Sequence, residues 1–222
     1  MFMSSDTRQR IIDHATPLFN EEGYRATTLN QLAQNIGMSR GNLTYHFNDK
    51  MELLHAILEN LWRRYEKLMA HTTQFPSWES THSTTLAFHE LQQEFSFIFF
   101  DRHLLQQSAI KDLVQRIRTH HIQWQLSFVN FSIQIGNMKK ETIPGIYENL
   151  CRTIWKTSFF WLVSEELETE ENRIDWATYV WAIILPHFTA KGISSFQEHF
   201  GEEYYQNLGK SISTFRQAYY AG

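Results

Sequence analysis

Apolar residues recur every three or four positions along most of this chain, the spacing of one face of an α-helix. Ile11, Ile12, Ala15, Leu18 and Phe19 predict a first helix from Asp6 to Glu22, closed by Gly23. Leu29, Leu32, Ala33 and Ile36 predict a short second helix, with Thr28 and Gln31 spaced as a capping box and Gly37 as its left-handed stop. Ser39 can cap a third, anchored by Leu43 and Phe47. Asp49 and Glu52 then open a long helix carrying Met51, Leu53, Leu54, Ile57, Leu58 and Leu61.

Beyond that helix the pattern weakens and returns. The Ser/Thr-rich run from His71 to Thr85 reads as a connection. Leu86 to Phe100 reads as a helix ending in F-S-F-I-F-F, followed by a bend from Asp101 to Ser108. Ala109 to Met138 is expected to be the longest helix, apolar over so much of its circumference that it must be covered on most sides. A break from Gly136 to Gly145 precedes helices from Ile146 to Glu168 and Ile174 to Ile193, joined by an acidic turn. A last helix is expected from Phe196 to about Tyr219. The fold class is therefore all-α: an N-terminal three-helix helix-turn-helix domain, joined by a long fourth helix to a C-terminal helical bundle. The expected division is residues 1–50, continuing into a connecting helix 50–70, and residues 71–222.

The candidate chemistry lies on the third helix. With Leu43 and Phe47 buried, the side chains left outside are Arg40, Asn42, Thr44, Tyr45 and His46. These donors, acceptors and aromatic groups are the kind that meet base edges and phosphates. Two short helices about a glycine turn, the second polar on its free face, form a helix-turn-helix with Ser39–Phe47 as reading helix. The helix starts at Thr28 and Ser39 present free N–H groups suited to phosphate, and the Thr27 hydroxyl can add to them. Arg40 can fork onto guanine and Asn42 onto adenine, while Gly41 lets the helix sit close.

Residues from about Thr7 to Leu54 resemble the DNA-binding domain of the TetR (tetracycline-repressor) family of transcriptional regulators. The resemblance rests on A-x-x-L-F-x-x-x-G-Y at Ala15–Tyr24 and T-T-L-N-Q-L-A at Thr27–Ala33. It continues through I-G-M-S-R-G-N-L at Ile36–Leu43 and Y-H-F-N-D-K-M-E-L-L at Tyr45–Leu54. It implies backbone contacts from Tyr45, His46 and Lys50. It also implies a C-terminal domain that binds a small effector, so that operator affinity shifts by a coupling free energy, with a repressor expected. One position departs: most relatives carry an aromatic, usually Tyr, where this chain has Thr44. Either that phosphate contact is lost or Thr44 meets a thymine methyl.

Charge qualifies this reading. Residues 1–67 hold eight Lys/Arg against eight Asp/Glu, so bulk charge does not drive nucleic-acid binding, and the whole formal net charge of −4 falls on the rest. Arg10, Arg25, Arg40 and Lys50 on one face would give about eight ionic contacts per dimer and a salt slope of about −7. The single Cys151 allows no internal disulfide and fits a reducing cytoplasm. No apolar run approaches the ~20 residues of a membrane span, and the start of the chain does not read as a secretory signal.

The helices around Phe159 and Tyr179 carry more large apolar groups than one face can absorb, so they are expected to pair with their twofold mates in a homodimer. Such a dimer would read a near-palindromic operator in double-stranded DNA. Phe97, Phe100, His103, Trp124, Phe128 and Trp155 are the candidate lining of an effector pocket for an apolar or aromatic ligand. Arg118 and His121 are candidate anchors for its polar or anionic end. No cofactor or metal is expected. One rival is a helical interaction module without DNA binding, suggested by the neutral head and Thr44. Another is a ferritin-like metalloenzyme, which would need two E-x-x-H pairs where the chain has one, Glu79–His82. An enzyme is not expected.

Overall fold

The computed structural model describes residues 3–70, 76–164 and 175–208. Regular structure among them is helical, apart from a single antiparallel bridge between Met138 and Phe188. The helices are α1 (Met3–Glu22), α2 (Leu29–Ile36), α3 (Arg40–His46), α4 (Lys50–Ala70), α5 (Trp78–Glu94) and α6 (Ser96–Phe100). There follow α7 (Ser108–Gln134), α8 (Ile146–Ser164), α9 (Trp176–Ile184), α10 (Ala190–Phe200) and α11 (Glu202–Asn207). No helix among the described residues is long and apolar enough to cross a membrane.

Two compact units divide the chain: Met1–Leu68 with Glu90–Ile117, and Met69–His89 with Arg118–Gly222. In the first, Ile11, Ala15, Phe19, Leu32, Leu43, Phe47, Leu53 and Ile57 form a fully buried core. Phe19 meets the Phe97 ring edge-on at 5.3 Å. Asn20 donates to the Glu94 carbonyl (2.8 Å) and accepts the Phe97 N–H (3.0 Å), satisfying backbone freed where α5 gives way to α6. The helix expected over Leu86–Phe100 is thus interrupted at Phe95, with α6 starting at Ser96.

The second unit is organised around indoles. Trp181 is enclosed by Trp78, Phe128 and Phe196, with centroids 5.3–6.0 Å away, and its Nε1–H donates to His82 Nδ1 at 3.0 Å. Half-buried Trp78 donates to Ser195 Oγ at 3.0 Å, so the indole N–H groups of this pair are both satisfied.

Several expected boundaries moved, each for a local reason. The run His71–Thr85 is not wholly a connection, because α5 begins at Trp78 with the Ser77 hydroxyl capping the Ser80 N–H. Its hydroxyls turn inward: Ser83 donates to the Glu79 carbonyl and Thr85 to that of Thr81, which lets a Ser/Thr-rich sequence stay helical. The helix expected over Ile174–Ile193 is two. Pro186 shapes a 3₁₀ turn at Leu185–His187, and Thr189 caps α10 through the Gly192 N–H. The final helix is also cut, at Gly201, whose φ of 91° lies outside helical backbone. The acidic turn at 165–172 and the end of the last expected helix lie outside the described residues.

Candidate nucleic-acid interface

Local chemistry sets the two short helices. Thr28 and Gln31 make the reciprocal capping box, with Thr28 N–H on Gln31 Oε1 at 2.7 Å and Gln31 N–H on Thr28 Oγ1 at 3.2 Å. Gly37 sits at φ 73°, and the Gly37 and Met38 N–H groups close onto the Gln34 and Ala33 carbonyls. That left-handed residue turns the chain into Ser39, whose Oγ accepts the Asn42 N–H at 3.1 Å and starts α3.

The turn is then bolted to its neighbours. Leu43 and Phe47 are fully buried, and the Arg8 guanidinium lies 4.2 Å above the Phe47 ring. Arg8 also donates to the His46 carbonyl (2.7 Å), and Arg10 donates to the Ile36 carbonyl (2.9 Å). Two α1 cations therefore satisfy the carbonyl ends of α3 and α2. Asp49 caps α4 through the Glu52 N–H at 2.8 Å.

What this frame leaves outside is a short polar row. Arg40, Gly41 and Asn42 are exposed, and Tyr45 is 81% exposed. Thr44 and His46 are half-buried, and the Thr44 hydroxyl donates to the Arg40 carbonyl at 2.7 Å. At Gly41 an added Cβ would meet nothing closer than Ser39 Oγ at 4.0 Å. Nothing in the protein's own packing demands glycine there.

Three sequence-derived candidates have other duties. Thr27 is 1% exposed and its hydroxyl donates to the Gly23 carbonyl at 3.0 Å, so it is a buried turn residue rather than a phosphate donor. Arg10 is committed to Ile36, as above. Lys50 donates to the Tyr24 carbonyl and, at 2.7 Å, to the Thr27 carbonyl, with its ammonium 4.2 Å above the Tyr24 ring. Burial lowers its pKa. Two of its three N–H donors are thus spent inside the head. Replacing Lys50 by Met, which keeps the stem, should strip both carbonyls of a donor and cost about 1–2 kcal/mol of stability, read by thermal or urea unfolding. Unchanged stability would return Lys50 to a purely external role. No local pattern signals this, because the Tyr24 and Thr27 carbonyls lie 26 and 23 residues from Lys50 and only folding brings them to it.

The candidate effector residues separate. Phe97 belongs to the core of the first unit, Phe100 is 42% exposed, and His103 and Arg118 are exposed. The second unit holds a half-open cavity of about 400 Å³, counting its mouth, whose wall includes Trp124 and Phe128 but none of those four. His121 and Trp155 sit just behind it: His121 stacks on Phe88 at 3.9 Å and lies 5.1 Å from Trp124 and 5.8 Å from Trp155. Burial drives the His121 pKa down to about 3, so it supplies no cation at neutral pH. The wall residues that sequence reading missed are Thr81, Thr85, Gln125, Val129, Cys151 and Ile154 among others. Thr81 and Thr85 were hidden by the reading of their segment as a connection.

Fold and surface together define a helix-turn-helix DNA-binding protein. Residues 11–57 match the family model for bacterial regulatory proteins of the tetR family. The chain is 29% identical over 156 residues to the HTH-type transcriptional regulator SrpR of Pseudomonas putida, covering 66% of this chain and 72% of that one. It is 46% identical over 55 residues to the uncharacterized HTH-type transcriptional regulator TtgW of the same species, covering 25% of this chain and 41% of that one. A crystal structure of a TetR-family regulator from Marinobacter aquaeolei VT8 superposes with a TM-score of 0.76 over 89% of this chain and 98% of its own, at 17% identity. The head is the DNA-binding domain of the tetR family, and the chain is similar to TetR-family transcriptional regulators, relatives that are regulators rather than enzymes. Members of the family bind operator DNA, act as dimers and take small-molecule effectors.

Proposed function

We propose that α3 reads the major groove through Arg40, Asn42 and Thr44, with Ser39, Thr28, Tyr45 and His46 on the phosphates and Gly41 permitting close approach. The observation that carries this reading is the exposed row Arg40–Gly41–Asn42 on a helix pinned from behind by Leu43 and Phe47. With its hydroxyl donated to the Arg40 carbonyl, Thr44 is assigned to a thymine methyl rather than to a phosphate. Selection of bound fragments from genomic DNA, followed by titration of the recovered site, tests it. Arg40→Ala should weaken binding by about 1–3 kcal/mol and relax preference at one base pair. With Arg10 and Lys50 donating to backbone carbonyls of the head, Arg25 and Arg40 are the two of the four assigned to ionic contact with DNA. The salt slope of a dimer should then be about −4 rather than −7. A fully basic-face slope near −7, or an Arg40→Ala variant with unaltered preference, overturns this assignment.

The same reading makes the chain a cytoplasmic homodimeric repressor, with residues 1–50 as the DNA-binding domain continuing into helix 50–70, and 71–222 as the sensing and dimerisation part. Trp155, Trp176, Val180 and Ile184 are buried within the protomer, yet Phe160 is 79% and Val163 44% exposed on α8. Half-buried Phe159, Trp161, Tyr179 and Ile183 extend that apolar surface. A twofold mate would cover Phe160 and Val163 in an isologous contact. Phe160→Glu should convert the dimer to monomer in light scattering and abolish tight operator binding; a wild-type dimer mass for the variant would reject this surface. The cavity at Trp124 and Phe128 is the effector site, and an apolar or aromatic effector fits its wall.

A further inference from the structure

Every residue of the cavity wall is uncharged. Its polar members are Thr81, Thr85, Gln125 and Cys151, and the rest are aromatic or aliphatic. The Thr85 hydroxyl is already donated to the Thr81 carbonyl at 2.7 Å. Burial pushes the Cys151 thiol up to about 12, so it is neither an anion nor a ready nucleophile. The nearby imidazole of His121 is neutral, and Arg118 is exposed. No cation of the wall therefore waits for an anionic ligand, which removes the anchoring role that sequence assigned to Arg118 and His121.

Among the wall residues, one fully buried polar atom is unspent. Gln125 Oε1 is buried and has no hydrogen-bond partner among the described residues. A buried carbonyl oxygen left without a donor is costly, so a ligand that supplies one gains more than the same ligand would in water. A ligand lacking that donor leaves the atom unpaired, and a ligand carrying a negative charge meets it with repulsion and no counter-charge.

Resting on the reading of this cavity as the effector site, we infer that its ligand is an uncharged, largely apolar molecule that donates one hydrogen bond, from a hydroxyl or an N–H, to Gln125 Oε1. The ligand class is then narrower than apolar or aromatic. Phenol-like and neutral amide-like molecules qualify, whereas carboxylates and phosphates of equal size do not.

Calorimetric titration of the full-length protein near pH 7 with 4-phenylphenol, 4-methoxybiphenyl and biphenyl-4-carboxylate tests this. The three share a biphenyl body and differ in one group: donor, acceptor only, or anion. The phenol should bind about tenfold more tightly than its methyl ether, and the carboxylate at least tenfold more weakly than the phenol. In Gln125→Met the preference for phenol over ether should vanish while the ether keeps its affinity within about threefold. The ranking in the unaltered protein decides the matter alone if the variant fails to fold. A carboxylate that matches the phenol overturns the inference while leaving the effector site in place, as does a phenol preference that survives in Gln125→Met. If none of the three binds, the effector-site reading falls with it.

Discussion

Replacing Gly192 by alanine is expected to cost about 3 kcal/mol or more of stability, although alanine is the better helix former. Gly192 lies in the first turn of α10, where an added Cβ would stand 2.0 Å from the Asn137 carbonyl oxygen and 2.8 Å from its carbon. Both obstacles are backbone, so no side-chain rotation relieves the clash. Nor can the backbone yield freely. The Asn137 carbonyl accepts the Thr189 N–H at 2.9 Å, the Asn137 N–H donates to Ser132 at 2.8 Å, and Lys139 N–H donates to His187 at 2.9 Å. The Thr189 hydroxyl, which caps α10, also donates to the Gly136 carbonyl at 2.7 Å. Moving α10 away would break this junction between the end of α7 and the start of α10. Urea unfolding of Gly192→Ala against wild type measures the loss. Gly41→Ala serves as the control, since that site is open and should not destabilise the head. A Gly192→Ala protein within about 0.5 kcal/mol of wild type contradicts the close approach.

The second large effect is acid sensitivity centred on His121. In the unfolded chain this imidazole takes a proton near pH 6.5, but burial holds its folded pKa at about 3. Between those values the unfolded state binds a proton that the folded state does not, so the equilibrium shifts toward unfolding as pH falls. Above about pH 6.5 the imidazole is neutral in both states and carries no penalty; below it stability falls by about 1.4 kcal/mol per pH unit, a loss of roughly 2 kcal/mol by pH 5. Desolvation is the cause: the ring is stacked on Phe88 and flanked by Trp124 and Trp155. His121→Phe keeps an aromatic ring in that stack and cannot be protonated. Its stability should fall less than wild type's between pH 7 and pH 5, by about 2 kcal/mol. Equal losses in the two proteins would mean that the imidazole gains water or a carboxylate partner on protonation.

These effects separate what was readable in the linear chain from what was not. The head was readable because its signals are local. Thr28 with Gln31, Gly37 and Ser39 act within four residues of themselves, and the structure places each as the spacing predicts. Leu43 and Phe47 were assigned to the core by a four-residue interval and are fully buried. The segment 71–85 was misjudged because a Ser/Thr-rich composition marks a loop only when its hydroxyls compete with the helix. Here Ser83 and Thr85 return theirs to helical carbonyls.

Elsewhere composition was right in kind and wrong in place. An aromatic-rich bundle did contain a cavity, and Trp124 and Phe128 do line it. Phe97 shares the same helical periodicity, but its ring is packed against Phe19. Periodicity gives the face a residue occupies and is silent about which distant element covers that face.

Sequence by itself determined the all-helical class, the capped turn, the polar row on α3 and the family. Each depends on residues within a few positions of one another, where chain connectivity fixes the geometry. Tertiary structure alone decided that Lys50 and Arg10 hold carbonyls rather than standing free, that Thr27 is buried, that Gly192 rides on Asn137, and that Gln125 is left with an unpaired oxygen. Those outcomes turn on groups from 23 to 55 residues apart, or on what packing fails to supply, and a one-dimensional pattern carries neither.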